Sequence, residues 1–143
     1  MRGESKFITD DELLYRRIPA HFYDPQKVPP VMLVAFRPSE SDKTGLSLDR
    51  DIFVTPEQSA AYGREGRSFY VAVLCAEDLR TCGMEVNPKP LPGKPGHAEI
   101  SNLTHENRDG VRQKEWRDIL ATRLCREILG PFPGKAKPPE KKG

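Results

Sequence analysis

Apolar positions along the chain come in short runs broken by proline, glycine and charge, and the longest uninterrupted run is residues 69–76. Residues 68–75 are rich in aromatic and β-branched side chains, which predicts a central strand buried on both faces. A short helix over residues 76–82 follows, with Gly83 past its end. Thr55-Pro56-Glu57-Gln58 carries the clearest helix start: Thr55 as N-cap, Pro56 at the first helical position and Gln58 closing a capping box. That helix is expected to run to Tyr62 and end at Gly63. Thr9-Asp10-Asp11-Glu12 has the same spacing and predicts a short helical turn. Residues 14–18 read as the end of that helix or as a strand, stopped by Pro19 in either case.

Residues 31–36 are short, apolar and bounded by prolines, which predicts a buried strand. Weak alternation over residues 45–48 predicts a second, and residues 84–86 and 97–100 two more. Four prolines stiffen the loop between these last two, residues 88–96. Trp116, Ile119, Leu120, Leu124 and Ile128 recur at one-turn spacing and predict a C-terminal helix over residues 111–129, ended by Gly130 and Pro131. Helices mixed irregularly with short strands give an α+β fold, a small mixed sheet packed by the long C-terminal helix.

Composition narrows the organisation. The 143 residues fit one globular domain over residues 8–130, and residues 131–143 read as a disordered basic tail because they are proline-rich and nearly free of apolar side chains. The formal charge of +2 points toward nucleic acid until it is located: the tail carries +3 and the body −1, so nucleic acid is expected to bind only weakly, through the tail. No apolar run approaches the roughly 18–20 residues of a membrane span. Without a signal-like N-terminus, and with three cysteines that form no paired framework, the expected compartment is the cytoplasm. Neither the cysteines nor the histidines have metal-ligand spacing, and no nucleotide or dinucleotide motif occurs, so no metal or cofactor is expected.

Three clusters could carry chemistry. Arg16 and Arg17 follow Tyr15; on a strand they point to opposite faces, so one could grip a phosphate or carboxylate while the other stays in water. The alternative is a pair of surface arginines matched to Asp10, Asp11 or Glu12. Ser47, Asp49 and Arg50 form the second cluster, with a hydroxyl and a carboxylate on one strand face and Arg50 as a further anion ligand; the alternative is the polar side of an amphipathic strand. His97 and Glu99 form the third. They share a strand face, where an imidazole beside a carboxylate can act as acid or base near neutral pH, or simply decorate an exposed sheet.

Leu14 to Pro19 (Leu-Tyr-Arg-Arg-Ile-Pro), Ala35-Phe36, Leu46-Ser47-Leu48-Asp49-Arg50 and His97-Ala98-Glu99-Ile100 occur in an order that resembles a group of small uncharacterised bacterial proteins. The resemblance implies a bacterial source and one compact domain, and no mechanism. Arg16, Ser47 and Glu99 also stand in the order that resembles ADP-ribosyltransferases of one class. That likeness implies Arg16 on a phosphate or ribose of NAD, Ser47 bracing the site and Glu99 beside an oxocarbenium-like centre. The leading functional expectation is a non-enzymatic module that binds a protein partner within a larger bacterial assembly. The alternative is a small enzyme built on His97 and Glu99 with an arginine anion clamp.

Overall fold

The structure, a computed structural model, describes residues 6–137. Its frame is a six-stranded sheet made of β1 (Leu13–Pro19), β2 (Leu46–Arg50), β3 (Ser68–Cys75), β4 (Val86–Pro88), β5 (His97–Ile100) and β6 (Glu127–Pro133). The spatial order is β4-β5-β2-β1-β3-β6, with every neighbouring pair antiparallel. Three α-helices, α1 (Pro56–Ala61), α2 (Ala76–Thr81) and α3 (Val111–Ile119), complete an α+β architecture. The mixed sheet expected from the sequence is therefore antiparallel throughout its named strands.

Side-chain alternation explains how the sheet separates two environments. Leu14, Ile18, Leu48, Leu74, Ala98 and Ile100 point to the back and form the main core with Phe36, Trp116 and Leu120. On the front, Tyr15, Phe69, Val71 and Val73 pack with Ala60 of α1 into a second, smaller core. The front of β2 and β5 instead presents Ser47, Asp49, His97 and Glu99, brought together by the register Ser47↔Glu99 and Asp49↔His97.

The predicted α1 is present with its capping box intact: Thr55 Oγ1 accepts from the Gln58 amide at 3.1 Å and Gln58 Oε1 from the Thr55 amide at 2.8 Å. α2 is likewise found, and Gly83 behind it takes the left-handed φ of +92° that favours glycine.

Three local expectations are corrected, and residues 14–18, left open between helix and strand, take the strand form as part of β1. Thr9 starts no helix: its hydroxyl donates to Asp11, and Glu12 turns inward to Arg50 rather than back to a cap. Residues 31–36 form no strand but a 3₁₀ turn over Leu33–Phe36, in which Ala35 and Phe36 are buried while Met32, Leu33 and Val34 remain exposed. The long C-terminal helix is also replaced. α3 passes into one π-helical turn over Leu120–Leu124, Cys125 turns extended, and Ile128 and Leu129 pair with Ala72 and Val71 of β3. Pairing with β6 satisfies backbone groups along an edge that β3 would otherwise leave open.

Residues 131–137, expected as the start of a disordered tail, instead hold part of a strand and backbone hydrogen bonds. Pro131 and Pro133 lie in β6, and the Lys135 amide donates to the Ala61 carbonyl at 3.0 Å. Residues 138–143, which hold the rest of the expected tail, lie outside the described residues. Among the described residues no helix is long and apolar enough to cross a membrane.

Candidate functional site

β1 and β2 share only two registered pairs, Leu14↔Arg50 and Tyr15↔Asp49, before they separate. The gap opens into a cleft of about 540 Å³, within the size range of small-molecule sites. Arg16 and Arg17 line it from β1, Ser47 and Asp49 from β2, and His97 from β5. Asp42 and Thr44 close one side from the turn before β2, and Tyr62 and Arg64 flank it after α1. The proline-rich loop contributes Lys89 and Lys94. Residues from all three sequence clusters thus meet in one place.

Neither arginine stays in water, and neither pairs with Asp10, Asp11 or Glu12. Arg16 lies in the gap where the strands part, donating Nε to the Ala35 carbonyl at 3.1 Å and Nη1 to the Ser47 carbonyl at 3.0 Å. Burial lowers its pKa, and Asp42 opposes that shift. Arg17 points to the front, where Nη1 donates to the Ser59 carbonyl at 3.1 Å and stands 3.9 Å from Asp49 Oδ2. Its guanidinium also lies 5.9 Å from the centre of the Phe69 ring. Burial lowers its pKa too, against the pull of Asp49.

Asp49 is buried and accepts the Ser59 hydroxyl at 2.7 Å. Asp42, which the sequence reading passed over, organises the neighbouring turn by accepting the Ser39 amide at 2.8 Å and the Ser47 amide at 3.1 Å. Burial raises its pKa, but Arg16 together with the Ser39 and Ser47 hydrogen bonds brings it below the ordinary carboxylate value. The spacing Ser39-x-x-Asp42 was a legible signal for this turn, since it is the pattern of a side chain reaching back three residues. Tyr62 stands across the cleft. Its phenol is held above the usual value, first by burial and then by Asp49.

His97 Nδ1 lies 2.8 Å from the Lys89 carbonyl. An oxygen with no proton to give can only accept, so Nδ1 carries the hydrogen and Nε2 of the neutral ring keeps its lone pair. Glu99 is adjacent in the sheet but is directed elsewhere: it is buried, takes the Thr44 hydroxyl at 2.8 Å and lies 3.9 Å from Lys89 Nζ. Gly45 packs directly over it, because a Cβ there would stand 2.5 Å from Glu99 Oε2. Glu99 therefore supports the wall rather than lining the cleft. Arg16, Ser47 and Glu99 are neighbours, yet the carboxylate expected to face a ribose centre is covered.

Arg50 is not an anion ligand. It is 1% exposed, points to the back of the sheet and is clamped by Glu12 at 2.6 and 2.8 Å and by the Phe7 carbonyl at 2.8 Å. Among the described residues no cluster of His, Cys, Asp or Glu is placed to hold a metal. Cys125, hydrogen-bonded to the Leu120 carbonyl, has its thiol pKa pushed up by burial to about 12. No family model matches the chain, and no curated protein or solved structure gives a significant match.

Proposed function

We propose that the cleft binds a small anionic ligand and that His97 performs acid–base chemistry on it. The observation that carries this reading is the meeting of Arg16, Arg17, Ser47 and His97 around one concave space, with the imidazole held in a single tautomer by the Lys89 carbonyl. A fixed Nδ1–H leaves Nε2 as the basic atom, able to take a proton from a ligand hydroxyl and return it. The remaining guanidinium N–H groups of Arg16 and Arg17 are partly shielded from water, where hydrogen bonds to developing negative charge are strongest. Glu99 contributes indirectly, by anchoring Thr44 and Lys89.

Titration calorimetry with inorganic phosphate and pyrophosphate tests the binding half. Wild type is expected to bind at least one of them, with affinity falling as salt rises; no heat with either, at low salt and millimolar ligand, overturns the reading. For the chemical half, His97→Gln is expected to keep ligand binding and lose turnover of any compound that the wild type converts. A His97→Gln protein that turns over at the wild-type rate removes the imidazole from the mechanism.

A second reading, a protein-binding module in a larger bacterial assembly, is favoured by one observation. Val28 is 99% exposed, and Met32, Leu33 and Val34 form an uncovered apolar segment beside it in the chain. A partner that co-purifies in stoichiometric amount with wild type and is lost with Leu33→Ser/Val34→Ser supports it; equal recovery with both proteins ends it. Three unpaired cysteines are consistent with a cytoplasmic setting for either reading.

A further inference from the structure

The charges lining the cleft are unevenly matched. Arg16 feels the charge of Asp42 without an ion pair within 4 Å, Arg17 stands 3.9 Å from Asp49, and Lys89 stands 3.9 Å from Glu99. Arg64 and Lys94 have no carboxylate partner among the described residues. Both belong to the Tyr62 side of the cleft: Lys94 Nζ lies 4.6 Å from the centre of the Tyr62 ring, and Arg64 follows Tyr62 by two residues. All three line the cleft, and Arg64 is exposed at its rim.

A phosphate dianion set against the inner arginines would also stand beside Asp42 and Asp49, and like charges at close range oppose it, which leaves those arginines to the ligand's uncharged end and to the charge that develops there. At the rim the charge of Asp49 still reaches Tyr62, but Arg64 and Lys94 add two cations that form no ion pair among the described residues. A guanidinium fork and an ammonium together suit a phosphate dianion in both charge and donor geometry.

The inner wall suits a different kind of group. Asp49 commits Oδ2 to Ser59 and Arg17, which leaves Oδ1 as an acceptor, and the Ser47 side chain lies on the same strand face. Alternating donors and acceptors of this kind match neutral hydroxyls, each of which both donates and accepts.

Resting on the reading of the cleft as an anion site, we infer that its ligand is a phosphorylated sugar or polyol. Its phosphate sits between Arg64 and Lys94 beside Tyr62, and its hydroxyls face Ser47, Asp49 and the basic nitrogen of His97.

The test is calorimetry on the full chain with inorganic phosphate, ribose, ribose 5-phosphate and glucose 6-phosphate. At least one sugar phosphate is expected to bind about tenfold or more tighter than phosphate or ribose. Arg64→Ala/Lys94→Ala, at exposed or half-exposed positions, is expected to weaken phosphate and sugar phosphate alike by about tenfold or more. Asp49→Asn is expected to lower the affinity for the sugar phosphate relative to that for phosphate, with circular dichroism confirming that both proteins are folded. If the double variant binds as wild type while Arg17→Gln loses binding, the phosphate lies at the inner wall and the inference is overturned. If neither sugar phosphate exceeds phosphate, the polyol assignment falls while the anion site stands. If wild type binds none of these ligands and no pyrophosphate, both fall together.

Discussion

Arg50 and Arg17 are carried by neighbouring strands, point to opposite faces of the sheet, and each meets a carboxylate. Arg50 is 1% exposed and held by Glu12 in a two-pronged pair at 2.6 and 2.8 Å, with the Phe7 carbonyl and the Phe53 ring also against it. Arg17 keeps 31% of its side chain exposed and stays 3.9 Å from Asp49. The first guanidinium is enclosed by partners; the second is oriented with capacity to spare. Residue type is the same in both, so what separates a structural arginine from one that can meet a ligand is how completely the fold encloses it.

The comparison breaks most readily at Glu12. Glu12→Gln removes the buried carboxylate that clamps Arg50 and is expected to cost about 3–5 kcal/mol in urea unfolding. A loss below about 1 kcal/mol would put this pair in the class of exposed ones and erase the contrast.

Asp42 gives the next largest effect, since Asp42→Asn disturbs a buried acceptor of several hydrogen bonds and is expected to cost about 1–3 kcal/mol. Its carboxyl titrates lower in the folded protein than in the unfolded chain. The associated stability is therefore complete above the unfolded value, near about 4, and is lost as pH falls through that value to the folded one. Urea midpoints between pH 5 and pH 2 should fall less steeply in Asp42→Asn than in wild type. An identical slope would show that Asp42 does not gain its charge stabilisation from Arg16 and the turn.

Ser59→Ala sharpens the Arg17 side of the contrast. It removes the 2.7 Å hydrogen bond to Asp49 and is expected to cost about 1 kcal/mol. Smallest of all, Arg17→Gln is expected to change stability by less than about 1 kcal/mol, as for other loosely held pairs. If it unfolds the protein as Glu12→Gln does, the two arginines play the same structural part.

Elements whose signals are local were legible from the chain. The Thr55 capping box, the apolar run of β3 and the glycine behind α2 each specify their own geometry within a few residues. Elements decided by distant partners were not. Glu12 has the right spacing to cap a helix, but Arg50, 38 residues away, takes its carboxylate. Ile128 fits a helical stripe, but the edge of β3 takes its backbone.

The candidate site divides in the same way. Same-face pairs such as Ser47 with Asp49, and His97 with Glu99, follow from the period of a strand. Their convergence with Arg17 depends on registers such as Tyr15↔Asp49 and Asp49↔His97, which no single segment encodes. That Glu99 is covered while its neighbour His97 is not depends on a glycine 54 positions earlier. Asp42 could have been found from Ser39-x-x-Asp42, although its partnership with Arg16 could not.

The chain's one tryptophan has a practical consequence. Trp116 is 3% exposed, donates its indole N–H to the Cys82 carbonyl at 3.0 Å, and takes no part in lining the cleft. Its emission is expected to be blue-shifted in the native state and to move red only when the main core opens. Ligand entry is instead expected to perturb the absorbance of Tyr15 and Tyr62, which do line the cleft. The molecule thus carries two optical reporters, so unfolding and cleft occupancy can be followed separately in one unlabelled sample.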